Sequence, residues 1–238
     1  MIKDFIVLMA PYSLLSILFI LFISFIQSDE NDIVETTTVI SNDYKIDRNS
    51  YCRKRTNEIN LKWNEEFNKS NLLKSKWNYS TSNGFRYKGE YIPGWGNGEL
   101  QYYVKPRNGN KSYTNDNLFI EDGLLKIQPI FETNTGSDNV TQSYSSAKIF
   151  TKDKLAFSFG SRLTVCFKVP EGTGLWPAIW MLPFDNSPWP SGGEIDLMEA
   201  RGRSYTVDGS PGQDNIIGSA VHFGTQWPDN KYIAANFY

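Results

Sequence analysis

The chain has 238 residues, a formal net charge of −2, and 40% hydrophobic, 15% aromatic and 21% charged residues. That content is too apolar for a disordered chain, and a near-neutral balance without a basic stripe argues against a nucleic-acid partner. One histidine and two cysteines exclude zinc sites built on several imidazoles or thiolates, and exclude a disulfide-dense scaffold. No metal or cofactor is expected.

Phe5 to Ile26 is a nearly continuous apolar stretch, preceded by Lys3 and followed by Asp29, Glu30, Asp32 and Glu35. Its length suffices to span a bilayer, whereas the apolar part of a signal peptide is usually about 7–15 residues. Pro11 shortens the effective run to Leu14–Ile26, and Ser28 is a small residue that tolerates cleavage. Residues 1–28 therefore read as either a signal peptide or a transmembrane signal anchor. Both place the rest of the chain outside the cytoplasm, secreted or anchored through residues 5–26, because Lys3 stays inside.

Residues 29–60 are polar with clustered charges and read as a flexible spacer. Cys52 in this spacer and Cys166 in a later strand can pair in an oxidising compartment, a pairing that spacing alone leaves open. Glycosylation sequons stand at Asn68, Asn78, Asn110 and Asn139, compatible with secretion.

From Leu61 onward the apolar period is two. Asp122-Gly123 between the apolar runs of 118–120 and 124–127 predicts a hairpin. Leu163, Val165, Phe167 and Val169 alternate with Arg162, Thr164, Cys166 and Lys168, a half-buried strand. Pro170–Gly174 then turns the chain into Trp176–Leu182. Short strands separated by glycine- and proline-rich turns predict an all-β, antiparallel sandwich or barrel over residues 61–238.

The segment Gly192-Gly193-Glu194-Ile195-Asp196-Leu197-Met198-Glu199-Ala200 carries the chemistry. On a strand Glu194 and Asp196 point to one face, while Ile195 and Leu197 point to the core. Strict alternation turns Glu199 away, so a β-bulge near Met198 is needed to return it to the carboxylate face. An acidic run is ordinarily a solvated face. This one is flanked by core residues rather than lysines, and three like charges on one face raise one another's pKa. A glycosidase uses that cost: one carboxylate attacks the anomeric carbon while another holds a proton for the leaving oxygen. Trp176 and Trp180 fall on one strand face, with Trp189 just before the carboxylates and Trp95 in a glycine-rich loop. Singly each is as easily a core aromatic; together, beside acids, they suggest a sugar cleft.

These residues resemble glycoside hydrolase family 16, in its laminarinase and β-1,3-glucan-recognition branch. The likeness runs from about Trp63 to the end. It rests on Asn97–Tyr103, Asp122–Ile127, Ser146–Thr151, Lys168–Pro183 and Trp189–Gly202, with the signature Glu-x-Asp-x-x-Glu intact at Glu194, Asp196 and Glu199. The resemblance implies a β-jelly-roll sandwich of the concanavalin A type. It also implies a retaining endo-hydrolase of β-1,3-glucan or mixed β-1,3/1,4-glucan. Glu194 would be the nucleophile, Glu199 the general acid/base, and Asp196 the residue tuning the nucleophile. Trp95, Trp176, Trp180, Trp189 and the lone His222 would contact the glucan. The alternatives are a non-catalytic β-1,3-glucan-binding protein and a transglycosylase on the same residues. Some members of the family hold a structural calcium, for which this sequence shows no matched ligand set. Few residues follow His222, and 178 residues from Leu61 fall short of the roughly 200–250 that large β-sandwiches use. The expectation is a domain lacking its last strands.

Overall fold

The computed structural model describes residues 2–6, 17–25, 62–69, 71–107, 116–121, 123–158, 160–170, 172, 174–200 and 217–237. Its strands, in chain order, are β1 (Ile2–Ile6), β2 (Ile17–Phe25), β3 (Asn78–Tyr79), β4 (Gly84–Tyr87), β5 (Glu90–Pro93) and β6 (Gln101–Tyr103). They continue as β7 (Leu118–Glu121), β8 (Leu124–Ile127), β9 (Ile130–Thr135), β10 (Thr141–Ser146), β11 (Lys148–Phe150) and β12 (Thr164–Lys168). The last four are β13 (Leu175–Pro183), β14 (Glu194–Glu199), β15 (Ile217–Gly224) and β16 (Asn230–Phe237). Among the described residues the only helical turn is a single 3-10 turn at Gly94–Gly96.

Seven strands form the sheet that carries the site, in the order β16-β15-β14-β13-β2-β11-β3. A three-stranded sheet (β6-β10-β9) and the pairs β4-β5, β7-β8 and β1-β12 complete the structure. The expected hairpin is β7-β8, with Glu121 opposite Leu124. Asp122 of its turn lies outside the described residues.

Period-two alternation gives the seven-stranded sheet two different faces. Ile179 and Met181 of β13 turn to the main core, where they join Ile149, Leu197, Met198, Ile217, Trp77, Leu118, Phe157 and Leu163. The intervening Ala178, Trp180 and Leu182 turn to the other face, in a smaller cluster with Tyr103, Trp95 and Phe150. One face is thus packed core, and the other is aromatic and lined by the carboxylates.

The described parts of the amino-terminal apolar stretch, residues 5–6 and 17–25, are strands rather than helix. Their backbone is extended: β1 pairs antiparallel with β12, and β2 lies between β13 and β11. Among the described residues no helix is long and apolar enough to cross a membrane. Residues 17–25 alternate Ile, Leu and Phe with a single serine. Such a run favours a strand as well as a bilayer span, and apolar residues at both parities suit a strand with sheet on either side. The spacer, with Cys52, lies outside the described residues. Cys166 on β12 is disulfide-bonded.

Candidate active site

The carboxylates are assembled by an irregularity in β14. Opposite β13, Ile179 pairs with Met198 and Trp180 with Asp196, so Leu197 has no partner residue. Opposite β15, Asp196 pairs with Ala220 and Glu199 with Gly218, again one residue extra on β14. The bulge lets both Leu197 and Met198 enter the core and returns Glu199 to the side of Glu194 and Asp196.

Neighbouring strands set each acid. Glu194 stands opposite His222 on β15. The His222 Nε2–H donates to Asp196 Oδ2 at 3.0 Å, and Asp196 is 4% exposed. Asp196 is also hydrogen-bonded to Glu194. Burial pushes the Glu194 carboxyl well above the ordinary carboxylate range, and Asp196 and Glu199 push it the same way. The Trp189 indole N–H, directed at Glu194 without full hydrogen-bond geometry, pulls it down. Ligating atoms of Glu194, Asp196 and His222 lie within 4.8 Å of one another. Their mutual hydrogen bonds account for that closeness, and no metal is assigned there.

The aromatic residues take distinct positions. Trp176 and Trp180 share a face of β13, with Trp180 opposite Asp196. Trp176 is 7% exposed, and its Nε1–H donates to Glu199 Oε1 at 2.8 Å, so it holds this carboxylate rather than offering an open face. The Trp189 ring lies 6.2 Å from the His222 ring, and the Tyr232 ring lies 5.4 Å from it. Trp95 sits in the 3-10 turn with φ of 55°, stacked on Phe85 and tilted against Tyr103.

Sequence reasoning missed the polar wall that fixes Trp95. Asn83 is fully buried, and its Nδ2 donates to the carbonyls of Glu99 and Gln101. Its Oδ1 accepts from the Gly94 N–H and from Gln142 Nε2, and its own carbonyl accepts the Trp95 N–H. Gly94 has φ of 56°, and a Cβ there would stand 2.9 Å from the Glu99 nitrogen, so only glycine closes this turn. Buried Glu99 accepts from Gln101 Nε2 and Tyr103 Oη. Lys148 lies over the Trp95 ring. Trp227, in the turn between β15 and β16, packs edge-on to Phe85 and Tyr87. The available signal was the Asn97–Tyr103 block, which reads as strand grammar until Asn83 and Lys148 are placed beside it.

An antiparallel sheet with one packed face, and with acids converging beside tryptophans on the other, defines a β-sandwich with a candidate carbohydrate cleft. Residues 97–207 match the family model described as "XgeA-like, catalytic GH16 domain". Over those residues the chain is similar to glycoside hydrolase family 16, and its fold is the antiparallel β-jelly-roll of the family's solved glucanases. It is 39% identical over 185 residues to glucan endo-1,3-beta-glucosidase A1 of Niallia circulans, covering 76% of this chain and 24% of that protein. Glucan endo-1,3-beta-glucosidase of Cryptopygus antarcticus is 35% identical, covering 72% of this chain and 53% of its own. The beta-1,3-glucan-binding protein of Penaeus monodon is also 35% identical, covering 59% and 45%. Among solved structures, the endo-beta-1,3-glucanase of Pyrococcus furiosus superposes with a TM-score of 0.54 at 32% identity, covering 74% of this chain and 60% of that one. The chain thus spans from a quarter to about half the length of these curated relatives.

Proposed function

We propose that the chain is a retaining endo-hydrolase of β-1,3-glucan, with Glu194 as nucleophile and Glu199 as general acid/base. The observation that carries this reading is the bulge in β14, which brings Glu199 back beside Glu194 where Trp176 holds it. Trp176 orients the Glu199 carboxyl through Oε1. Glu194 attacks the anomeric carbon, and the glycosidic C–O bond breaks as Glu199 protonates the leaving oxygen. Glu199 then takes a proton from water, whose oxygen displaces Glu194 and releases the sugar. Attack requires an ionised Glu194, and the upward push on its carboxyl is the cost the site carries for that step. Two further atoms suit a sugar ligand: Trp95 Nε1 and His222 Nδ1 are buried with no hydrogen-bond partner. Buried polar groups of that kind are costly unless a ligand satisfies them.

The test is incubation with laminarin, following reducing ends, with Glu194→Gln as control. Release by the wild type and none by the variant is expected, and NMR of the first product should show retained anomeric configuration. Glucan binding without release by a folded wild-type protein would overturn the hydrolase reading in favour of recognition. Oligosaccharide products longer than the substrate would assign transglycosylation.

The chain is further read as acting outside the cytoplasm, with residues 5–26 serving export or anchoring. The disulfide at Cys166 supports an oxidising compartment. Cleavage of the leader would vacate the β2 position between β13 and β11. Amino-terminal sequencing of the exported protein separates a cleaved leader from a retained strand, and protein confined to the cytoplasm would overturn this reading.

A further inference from the structure

Ser219 of β15 stands opposite the extra residue of β14. Its neighbours on the strand are paired, Gly218 with Glu199 and Ala220 with Asp196, so one residue of β15 faces two of β14, Leu197 and Met198. Two residues against one is the signature of a β-bulge, and it takes the extra residue out of the regular ladder. The Ser219 Oγ–H donates to the Leu197 carbonyl at 2.9 Å.

A serine is the odd member of its row. Alternation places Ala220 and His222 on the cleft face, opposite Asp196 and Glu194. Ser219 therefore turns to the other face, between Ile217 and Val221, where Ile217 is part of the main core. Apolar side chains belong in such a row, and a hydroxyl there is costly unless it finds a partner. The Leu197 carbonyl is that partner. Because Ser219 faces away from the cleft, its effect on catalysis passes through the strand it bonds.

We propose that Ser219 is a positioning residue for the acid/base: its hydroxyl pins the bulge at Leu197 and so sets the direction of the Glu199 carboxyl. This rests on the reading of Glu199 as general acid/base. An extra residue can be taken up at neighbouring places along a strand, and moving it by one turns a side chain from one face to the other. Where it sits, Leu197 and Met198 both enter the core, and Glu199 Oε1 accepts from Trp176 Nε1 at 2.8 Å. Without the hydroxyl the Leu197 carbonyl loses its side-chain partner, the bulge is free to shift, and Glu199 spends less time against Trp176 and in reach of the leaving oxygen.

The experiment compares wild type with Ser219→Ala, Ser219→Val and Ser219→Thr in the full chain, after circular dichroism has confirmed folding. Threonine and valine share a shape and differ in the hydroxyl, which separates the hydrogen bond from volume. Each protein is given laminarin, whose leaving alcohol needs the proton of Glu199, and a dinitrophenyl glycoside of a laminarin oligosaccharide. The phenolate of the second leaves unprotonated when Glu194 attacks, so its kcat/KM does not depend on the acid. On laminarin kcat/KM should fall about tenfold in Ser219→Ala and Ser219→Val, the worth of one hydrogen bond. On the dinitrophenyl glycoside it should stay within about twofold, and Ser219→Thr should match wild type on both. A merely structural serine would lower the melting temperature and change both substrates equally or neither, which would overturn the inference. A readout independent of turnover is the Trp176 indole N–H signal in ¹⁵N NMR, assigned by its loss in Trp176→Phe. It should shift in Ser219→Ala and Ser219→Val and return in Ser219→Thr; a signal that stays in place overturns the proposal. A wild type that releases no reducing ends, with the indole signal moving in this way, would sink the hydrolase reading and leave the role of Ser219 standing. If neither variant without the hydroxyl folds, Ser219→Cys, whose thiol is a weaker donor, decides by the same signal: its wild-type position there overturns the proposal.

Discussion

The carboxylate row of β14 and the polar wall around Asn83 both bury groups that prefer water, but they are satisfied differently. In the wall each group has protein partners: Asn83 makes four side-chain hydrogen bonds, and Glu99 accepts from Gln101 and Tyr103. In the row, Glu194 is pushed upward by burial and by its neighbours, and His222 Nδ1 has no partner. Satisfied burial holds a loop in place. Burial left incomplete stores the reactivity a site needs.

Three substitutions test that contrast. The largest effect is expected from Glu194→Gln, which should lower laminarin hydrolysis by about 10⁴-fold or more with the fold intact, as for loss of a nucleophile. Residual activity within tenfold of wild type would place the chemistry elsewhere. Asn83→Ala should come next, because it strands several buried donors and acceptors: urea denaturation should show a loss of about 3 kcal/mol. KM should rise more than kcat falls, since the Gly94–Gly96 turn carries Trp95. A loss under about 1 kcal/mol would show that the wall is not structural. Trp176→Phe keeps the packing and removes the donor to Glu199, so kcat should fall roughly 10- to 100-fold, the worth of a hydrogen bond to a charged group. Unchanged kcat would detach Trp176 from the acid/base.

The smallest effect concerns stability. The folded Glu194 carboxyl is raised above its ordinary 4.5, so the folded state binds its proton more tightly than the unfolded one does. The resulting penalty is absent well below pH 4.5 and grows as pH rises through that value. Glu194→Gln should therefore melt higher than wild type at pH 7, by about 1 kcal/mol, and level with it near pH 4. Equal melting temperatures at both pH values would remove the strain assigned to the row.

Much of the row was readable in advance because its information is local. Glu194, Asp196 and Glu199 lie on one strand, and their spacing already required the bulge that β14 contains. The hairpin at 121–124 was likewise local, a two-residue turn between apolar runs. The wall was not readable, since its bonds join residues 59 positions apart in Asn83 and Gln142 and bring Lys148 beneath Trp95. No period or motif encodes such a pairing. The apolar amino terminus was ambiguous for another reason: an all-apolar run of Ile, Leu and Phe satisfies the rules for a bilayer span and for a central strand alike, and the backbone takes the strand.

By itself, then, the sequence determined the β class through its period of two, and the acidic strand through residue type and spacing. Tertiary structure decided which face Glu199 occupies, which tryptophan holds it, and which cation lies against Trp95. The reason is physical. Alternation and turns are set by neighbours along the chain, whereas burial, charge coupling and hydrogen-bond satisfaction depend on which distant strands come to lie side by side.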